Sequence, residues 1–347
     1  MKLLFYSPRF YPLLGGLERV VEAWATELAK KGIDVCVVTN TTNTAPDAFV
    51  FSVYRGLSFW KLVALMRGMD VIIQFNVSLK GLPAWWLSRK PLAISHHTFL
   101  VEKNKPASWR QRLKLMVSNR FPRQNICCSH FIAGQFSKAT VVHSPFQSQI
   151  FYAGSSERKP GSLVFAGRLV TDKGVDLLLK ALAQLDSNLF TSLTIIGDGP
   201  EKGPLEELSS GLLISNRVQF IGALSAVEVA AILGSSEIMI VPSVVEPFGI
   251  TVLEGLASGC RMVVSDTGGL PEAAGGFARI FESGDVKALA ASIMEELTEP
   301  VFVNREAVVR HLEKMTVEYT AGQFLEEVMA SVSTGLRARI TVGSSTS

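Results

Sequence analysis

Glu246 and Glu254 stand with seven residues between them in the run Ser243-Val244-Val245-Glu246-Pro247-Phe248-Gly249-Ile250-Thr251-Val252-Leu253-Glu254, directly after the apolar stretch 238–241. If a helix starts near Phe248, Glu246 lies on its approach and Glu254 about two turns onward, so both carboxylates can address one elongated ligand. The backbone N–H groups of Phe248, Gly249 and Ile250 then lie at a helix start, where unpaired donors and the macrodipole favour a phosphate. Apolar neighbours predict that Glu254 is buried. A buried carboxylate needs hydrogen-bond partners, and ribose hydroxyls supply them. A second loop, Gly167-Arg168-Leu169-Val170-Thr171-Asp172-Lys173-Gly174, brings two cations to another helix start. Arg168 and Lys173 there can neutralise a diphosphate, with an attraction that grows as charge develops on a departing group. Gly15 and Gly16 let backbone approach a ligand closely at the first strand-to-helix turn. Gly268 and Gly269 do the same in Asp266-Thr267-Gly268-Gly269-Leu270-Pro271-Glu272, where Pro271 suits a first helical turn. Each glycine loop alone also reads as a plain turn, and an isolated Arg or Lys as a solvated surface charge.

Side chains so placed need open sheets, which bind ligands at the carboxyl ends of their strands. Short apolar runs alternate with helical patterns along the chain, the signature of parallel sheets covered by helices on both faces. Strands are predicted over 3–7, 34–39, 50–53, 71–75, 92–95, 125–128 and 140–143, then over 162–166, 192–196, 218–221, 238–241, 262–265 and 279–281. The fold class is therefore α/β, with two Rossmann-like, doubly wound domains. At 347 residues the chain is too long for one ordinary core. The polar segment 154–161 has linker composition, which divides the chain into 1–153, 154–332 and a flexible tail, 333–347.

Hydrophobic residues make up 48% and charged residues 19%, which excludes a disordered composition. No run of about 18 apolar residues occurs, and the N-terminal apolar stretch meets Pro8 and Arg9 before a signal-peptide core is complete. Four cysteines lack both zinc-ligand spacing and the density of a disulfide scaffold, so a reducing cytoplasm is expected. The net charge of +3 hides an asymmetry. Residues 1–150 carry 19 Lys and Arg against 7 Asp and Glu, and residues 151–347 carry 15 against 24. A basic half calls for an anionic partner. No nucleic-acid module accompanies it, so nucleic acid is not the partner expected.

Residues 103–123 hold seven basic residues and no acidic one. With Ser108 as N-cap, Trp109, Leu113, Met116 and Val117 fall on one helical face, while Arg110, Arg112 and Lys114 project around its sides. That pattern predicts an interfacial helix on an anionic membrane, with Trp109, Arg110, Arg112 and Lys114 in contact. The competing reading is a core-facing helix with a solvated basic edge.

Taken together, Gly15-Gly16-Leu17-Glu18-Arg19, Gly167-Arg168 with Lys173-Gly174, Gly197-Asp198-Gly199-Pro200, the Glu246 and Glu254 pair around Pro247-Phe248-Gly249, and Gly268-Gly269-Leu270-Pro271-Glu272 resemble the large family 4 of retaining glycosyltransferases. The likeness runs from about residue 1 to about residue 332. It implies a GT-B fold, two Rossmann-like domains facing a central cleft, with a final helix over about 317–332 crossing back to the N-terminal domain. It implies that Arg168 and Lys173 hold the donor diphosphate, Glu254 the ribose and Glu246 the transferred sugar, with Gly15, Gly16, Gly167, Phe248, Gly249 and Ile250 around the donor. His97 matches the histidine such enzymes place near the sugar, with His96 as competitor. Front-side attack with retention is implied, and leaving-group stabilisation then contributes most of the catalysis. No Asp-x-Asp motif stands at a strand end, so a UDP- or GDP-sugar held without metal or cofactor is expected. Two departures bear on the acceptor side: Ser144-Pro145-Phe146-Gln147 replaces the common Asn-Gly-Val-Asp pattern, and His130 follows Ser129 where an acidic residue is frequent.

The expected activity is transfer of a hexose-type sugar to a lipid-linked or polysaccharide acceptor in cell-envelope glycan synthesis, polysaccharide or lipopolysaccharide, at the inner face of the cell membrane. The competing readings are a sugar-nucleotide epimerase or glycosyl phosphorylase on the same fold, and a catalytically silent sugar-nucleotide-binding protein.

Overall fold

The computed structural model describes residues 1–343 except 14, 45, 102–105, 155, 156 and 187, with side chains as far as residue 332 apart from that of 331. The chain divides into two compact units, residues 1–145 with 317–347, and residues 146–316. The division falls eight residues before the end of the N-terminal domain expected from the linker composition. The reason is packing: Phe146 and Phe151 are buried, and the Phe146 amide donates to the Met315 carbonyl, so this stretch already belongs to the second unit.

The first unit carries β1 (Lys2–Tyr6), β2 (Asp34–Thr39), β3 (Ser52–Arg55), β4 (Val71–Phe75), β5 (Leu92–His96), β6 (Gln124–Cys127) and β7 (Thr140–Val141), in the order β3-β2-β1-β4-β5-β6-β7. The second carries β8 (Ser162–Ala166), β9 (Ser192–Ile196), β10 (Val218–Gly222), β11 (Ile238–Val241), β12 (Arg261–Ser265) and β13 (Arg279–Phe281), in the order β10-β9-β8-β11-β12-β13. Every pair of adjacent strands is parallel, as strands that read as continuous apolar runs require, since both sheet faces are covered. In each sheet the strand order reverses beside the first strand, between β1 and β4 and between β8 and β11. Such switch points open a crevice at the carboxyl ends.

β3 begins at Ser52 rather than residue 50. Phe51 stacks on Phe49 at 5.0 Å, and Phe49 packs on Phe10 at 5.4 Å, so residues 49–51 serve a loop cluster instead of the ladder. The helix Val317–Gly343 returns to the first unit, as the family likeness implies. It is anchored by Phe324, which stacks on Trp24 at 4.4 Å and 25°, and by Trp24 Nε1 donating to Thr320 Oγ1 at 3.0 Å. The helical backbone runs to Gly343, where a tail was expected from residue 333. Residues 344–347 lie outside the described residues. Among the described residues, no helix is long and apolar enough to cross a membrane. All four cysteines are buried and none is in a disulfide, and burial pushes the Cys36 and Cys127 thiols up to about 12.

The helix Trp109–Arg120 starts where the sequence places it, on a Ser108 and Gln111 capping box. Its buried side differs from the expected one. Val117 joins the core of the first unit with Leu113 packed against it, and Lys114 is half-buried. Trp109 and Met116 stay 69% and 56% exposed. The four apolar residues read as one inserting face are thus split between core and solvent. Only Trp109, Arg110 and Arg112 of the four expected contacts are fully exposed, with the Arg110 guanidinium 5.3 Å from the Trp109 ring centre. Lys103 and Lys105 of the same segment lie outside the described residues.

Candidate active site

In the second unit, β8 is followed by Gly167 and Arg168, and a short 3-10 turn, Thr171–Lys173, leads through Gly174 into the helix Val175–Leu182. Gly174 has φ +67, and a Cβ there would lie 2.1 Å from the Pro242 carbonyl oxygen, so only glycine lets this turn press against the end of β11. The Val244 amide donates to the Asp172 carbonyl at 2.8 Å, which ties the Lys173 turn to the Glu246 loop. Lys173 Nζ meets Glu246 Oε2 at 2.5 Å, with both side chains mostly buried. Ser243 Oγ lies 3.4 Å from the same carboxylate oxygen. The fourth loop closes on the third: the Gly269 amide donates to the Glu246 carbonyl at 3.1 Å, and Thr267 Oγ1 to the Val244 carbonyl at 2.9 Å.

The helix Ile250–Ala257 starts at Gly249, whose φ of +106 again demands glycine. Its first amides have no intrahelical acceptor and carry the positive end of the dipole. Phe248 is a core side chain, so it can serve a ligand only through its backbone. Glu254 sits one face along, 5% exposed, within a run that is buried from Val252 to Ala257. Gly255 explains the depth: a Cβ there would meet the sulfurs of Met239 and Met262 at 2.7 Å.

Gly197-Asp198-Gly199-Pro200, known in the sequence only as part of the family likeness, has a physical task. A Cβ on Gly197 would lie 1.8 Å from the Gly167 carbonyl oxygen, and one on Gly199 2.2 Å from that of Leu169. The Leu169 amide donates to the Asp198 carbonyl at 2.9 Å. This motif grips the backbone on either side of Arg168 and leaves its side chain exposed. The second unit therefore brings Gly167, Arg168, Lys173, Glu246, Phe248, Gly249, Ile250 and Glu254 into one hydrogen-bonded set of loops. Cations, amide donors and carboxylates in this order can hold a phosphate-bearing ligand with hydroxyl groups.

Gly15, Gly16 and His97 belong to the first unit. Gly15 caps the helix Gly16–Lys30, and the Glu18 carboxylate folds back so far that a Gly15 Cβ would lie 2.2 Å from its Oε2. His97 follows β5 and is buried against Trp24 and Phe75, with ring centres at 5.8 and 5.9 Å. Its Nε2 lies 2.9 Å from Ser95 Oγ and its Nδ1 3.2 Å from Ser144 Oγ, while its amide donates to Asn76 Oδ1 at 2.7 Å. Burial, with repulsion from His96, drives His97 down to about 3, so at neutral pH it is an uncharged hydrogen-bonding ring. His96 is fully buried beneath the Phe136 ring, its Nε2 on Asn125 Oδ1, and burial holds it at about 4. His97, with 8% of its surface open, is the more accessible of the two.

Asn76, Ser95 and Ser144 were not singled out by the sequence as partners of His97. Asn76 carried a signal: it is an asparagine directly after an apolar strand, and it takes φ +56, where asparagine is over-represented. Ser144 stood in view only as part of a departure from the family pattern.

The family described as Glycosyl transferases group 1 matches residues 148–314, and Glycosyltransferase Family 4 matches residues 14–146. An uncharacterized glycosyltransferase of Methanocaldococcus jannaschii is 36% identical over 110 residues, 32% of this chain and 28% of that protein. A glycogen synthase of Mycobacterium tuberculosis is 33% identical over 252 residues, 71% of this chain and 59% of that protein. The chain thus spans less than two thirds of the length of either relative. Among solved structures, Anabaena HepE in complex with UDP is similar with a TM-score of 0.79 and 20% identity, covering 95% of this chain and all of that one.

Proposed function

The chain belongs to the glycosyl transferases group 1 family, and we propose that it transfers a hexose-type sugar from a UDP- or GDP-sugar, with retention, to a lipid-linked or polysaccharide acceptor in cell-envelope glycan synthesis. The observation that carries this reading is the coupling of the Lys173 turn to the Glu246 loop. The pair sits at the carboxyl ends of β8 and β11, beside the start of the helix that buries Glu254. In this reading Arg168, Lys173 and the amides at Phe248, Gly249 and Ile250 take the diphosphate, Glu254 the ribose and Glu246 the sugar. Arg168 and Lys173 supply the positive charge that stabilises the leaving diphosphate, so no metal is assigned to that task. His97 acts as a neutral hydrogen-bond partner of the sugar. Gly15 and Gly16 are assigned to donor binding, as glycines that let backbone approach a ligand closely.

The structures of HepE with UDP and with UDP-glucose support a nucleotide-sugar donor through likeness of fold. A screen of UDP- and GDP-sugars, read by release of nucleoside diphosphate with and without glycan acceptors, tests the activity. Conversion of the donor without acceptor would favour an epimerase. Turnover only with inorganic phosphate would favour a phosphorylase, and affinity without turnover a silent binder.

The acceptor's setting is taken to be an anionic membrane surface at the cytoplasmic face, reached through Trp109, Arg110 and Arg112. The excess of 12 positive charges in residues 1–150 supports this. Lys114, half-buried, contributes at the edge of that contact. Cosedimentation with vesicles should rise with anionic lipid and weaken in high salt. It should also fall when Arg110, Arg112 and Lys114 become Gln, and equal partition to neutral and anionic vesicles would contradict it.

A further inference from the structure

Two exposed aromatic residues of the first unit, Trp86 and Phe121, precede β5 and β6 and so lie towards the amino ends of those strands, away from the end that carries His97. Two adjoining grooves, about 480 and 280 Å³, open at the amino ends of β4, β5 and β6 and share Trp86 and Arg89. Their cationic lining is Arg67, Arg89, Lys90 and Arg123, and their apolar lining includes Trp86, 70% exposed, and Phe121, 46% exposed. Among the described residues, no acidic one lines either groove. The nearest in sequence, Asp70, accepts from the Lys2 amide at 2.7 Å, and Glu327 accepts from Gln124 Nε2 beside Arg123.

The walls are preformed. Arg67 Nη2 donates to the Leu87 carbonyl at 3.4 Å, Trp85 Nε1 to that of Lys90 at 2.8 Å, and Ser88 Oγ to that of Trp85 at 2.6 Å. Arg89 closes the helix Leu82–Ser88 in the left-handed region at φ +59, unusual for a long side chain, and is exposed where the two grooves meet. A second feature leads into the same place. On the helix Trp109–Arg120 the exposed Trp109, Arg112, Met116 and Arg120 recur at helical spacing and form one stripe that ends at Phe121.

We infer that these grooves bind the phosphate headgroups of anionic phospholipid in a bilayer. Arg67, Arg89 and Lys90 take the phosphate, while Trp86 and Phe121 lie at the acyl boundary. Cations ringed by exposed aromatics suit a ligand that is anionic at one end and apolar at the other, as interfacial side chains do generally. The inference rests on the membrane association proposed above and not on sugar transfer.

The test is cosedimentation of the full chain with phosphatidylglycerol-containing and pure phosphatidylcholine vesicles, comparing Arg67→Gln/Arg89→Asn, Trp86→Ala and the Arg110, Arg112 and Lys114 triple variant. Asparagine is chosen at position 89 because it tolerates positive φ. Thermal unfolding of each variant checks the fold. Loss of about tenfold in partition to anionic vesicles for the Arg67 and Arg89 pair, with a smaller loss for Trp86→Ala, is expected. Normal vesicle binding by the folded Arg67 and Arg89 variant, with only the triple variant impaired, would overturn the groove while leaving the membrane reading standing. Failure of the wild type to prefer anionic vesicles would overturn both. Glycerol phosphate in solution that displaces the protein from vesicles at micromolar concentration would overturn the lipid assignment in favour of a free anion.

Discussion

Lys173 and Glu246 neutralise one another across 2.5 Å, so a diphosphate held as proposed would compete with a carboxylate for the same ammonium. On the proposed roles, a sugar whose hydroxyls take over Glu246 would free Lys173 for phosphate and so couple recognition of the two donor halves. Glu246→Ala and Arg168→Ala should both fold, yet each should cut turnover by about 10² to 10³, the usual loss when a preorganised electrostatic contact is removed. Steady-state kinetics on purified variants checks this, and near-wild-type turnover in either would remove its assigned role. The two buried histidines give a separate expectation. An unfolded histidine titrates near 6.5, whereas burial lowers His96 to about 4 and His97 to about 3. Between those values the unfolded chain binds more protons than the folded one, so stability is full above about pH 6.5 and falls as pH drops towards 4 and 3. Urea unfolding at pH 7.5 and 5.5 should show a loss on the order of 2 kcal/mol. His97→Gln should recover part of that loss. An unchanged slope in that variant would show that His97 is not held neutral by the fold.

At the scale of elements, glycines at strand ends decide how close the loops come. Gly197→Ala should place a methyl group within 1.8 Å of the Gly167 carbonyl at a φ of 137° that alanine avoids. We expect a cost of about 2 kcal/mol or more in urea unfolding, together with weaker donor binding, because the Arg168 loop must move. Alanine tolerated without either effect would show that this grip is not needed. Phe324→Ala should cost about 3–5 kcal/mol, since the ring is fully buried on Trp24 and holds the returning helix. Much of this was legible in the sequence because parallel strands buried on both faces read as unbroken apolar runs. The strands 34–39, 71–75, 162–166, 192–196, 238–241 and 279–281 coincide with the structure to the residue. What periodicity could not supply was tertiary choice. Leu113 and Val117 turned inward and left Trp109 and Met116 in solvent, because the core of the first unit claims the side of the helix about 60° round from Trp109. The site loops of the second unit were readable as glycines, cations and carboxylates at strand ends. The Ser95, Ser144 and Asn76 shell around His97 was not: Asn76 and Ser144 stand 21 and 47 residues from it, and Ser95, though only 2 residues away, has nothing in its spacing that marks it as a partner.

Across the whole molecule, the two sheets repeat one topology with different chemistry. The second unit gathers loops of glycines, cations and carboxylates at its strand ends, while residues 1–150 are strongly basic and place Arg67, Trp86 and Arg89 in a groove towards the amino ends of β4 and β5. That division suits an enzyme that takes a soluble donor in one unit and meets an anionic surface with the other. The most direct test of the central claim is equilibrium titration of the chain with UDP and GDP, set against Lys173→Ala and Glu254→Ala. The account predicts that one of the two nucleotides binds the wild type and that both variants weaken it, Glu254→Ala by more than about tenfold, as loss of hydrogen bonds to a buried carboxylate entails. Absence of binding by either nucleotide, or equal affinity in wild type and both folded variants, would contradict it.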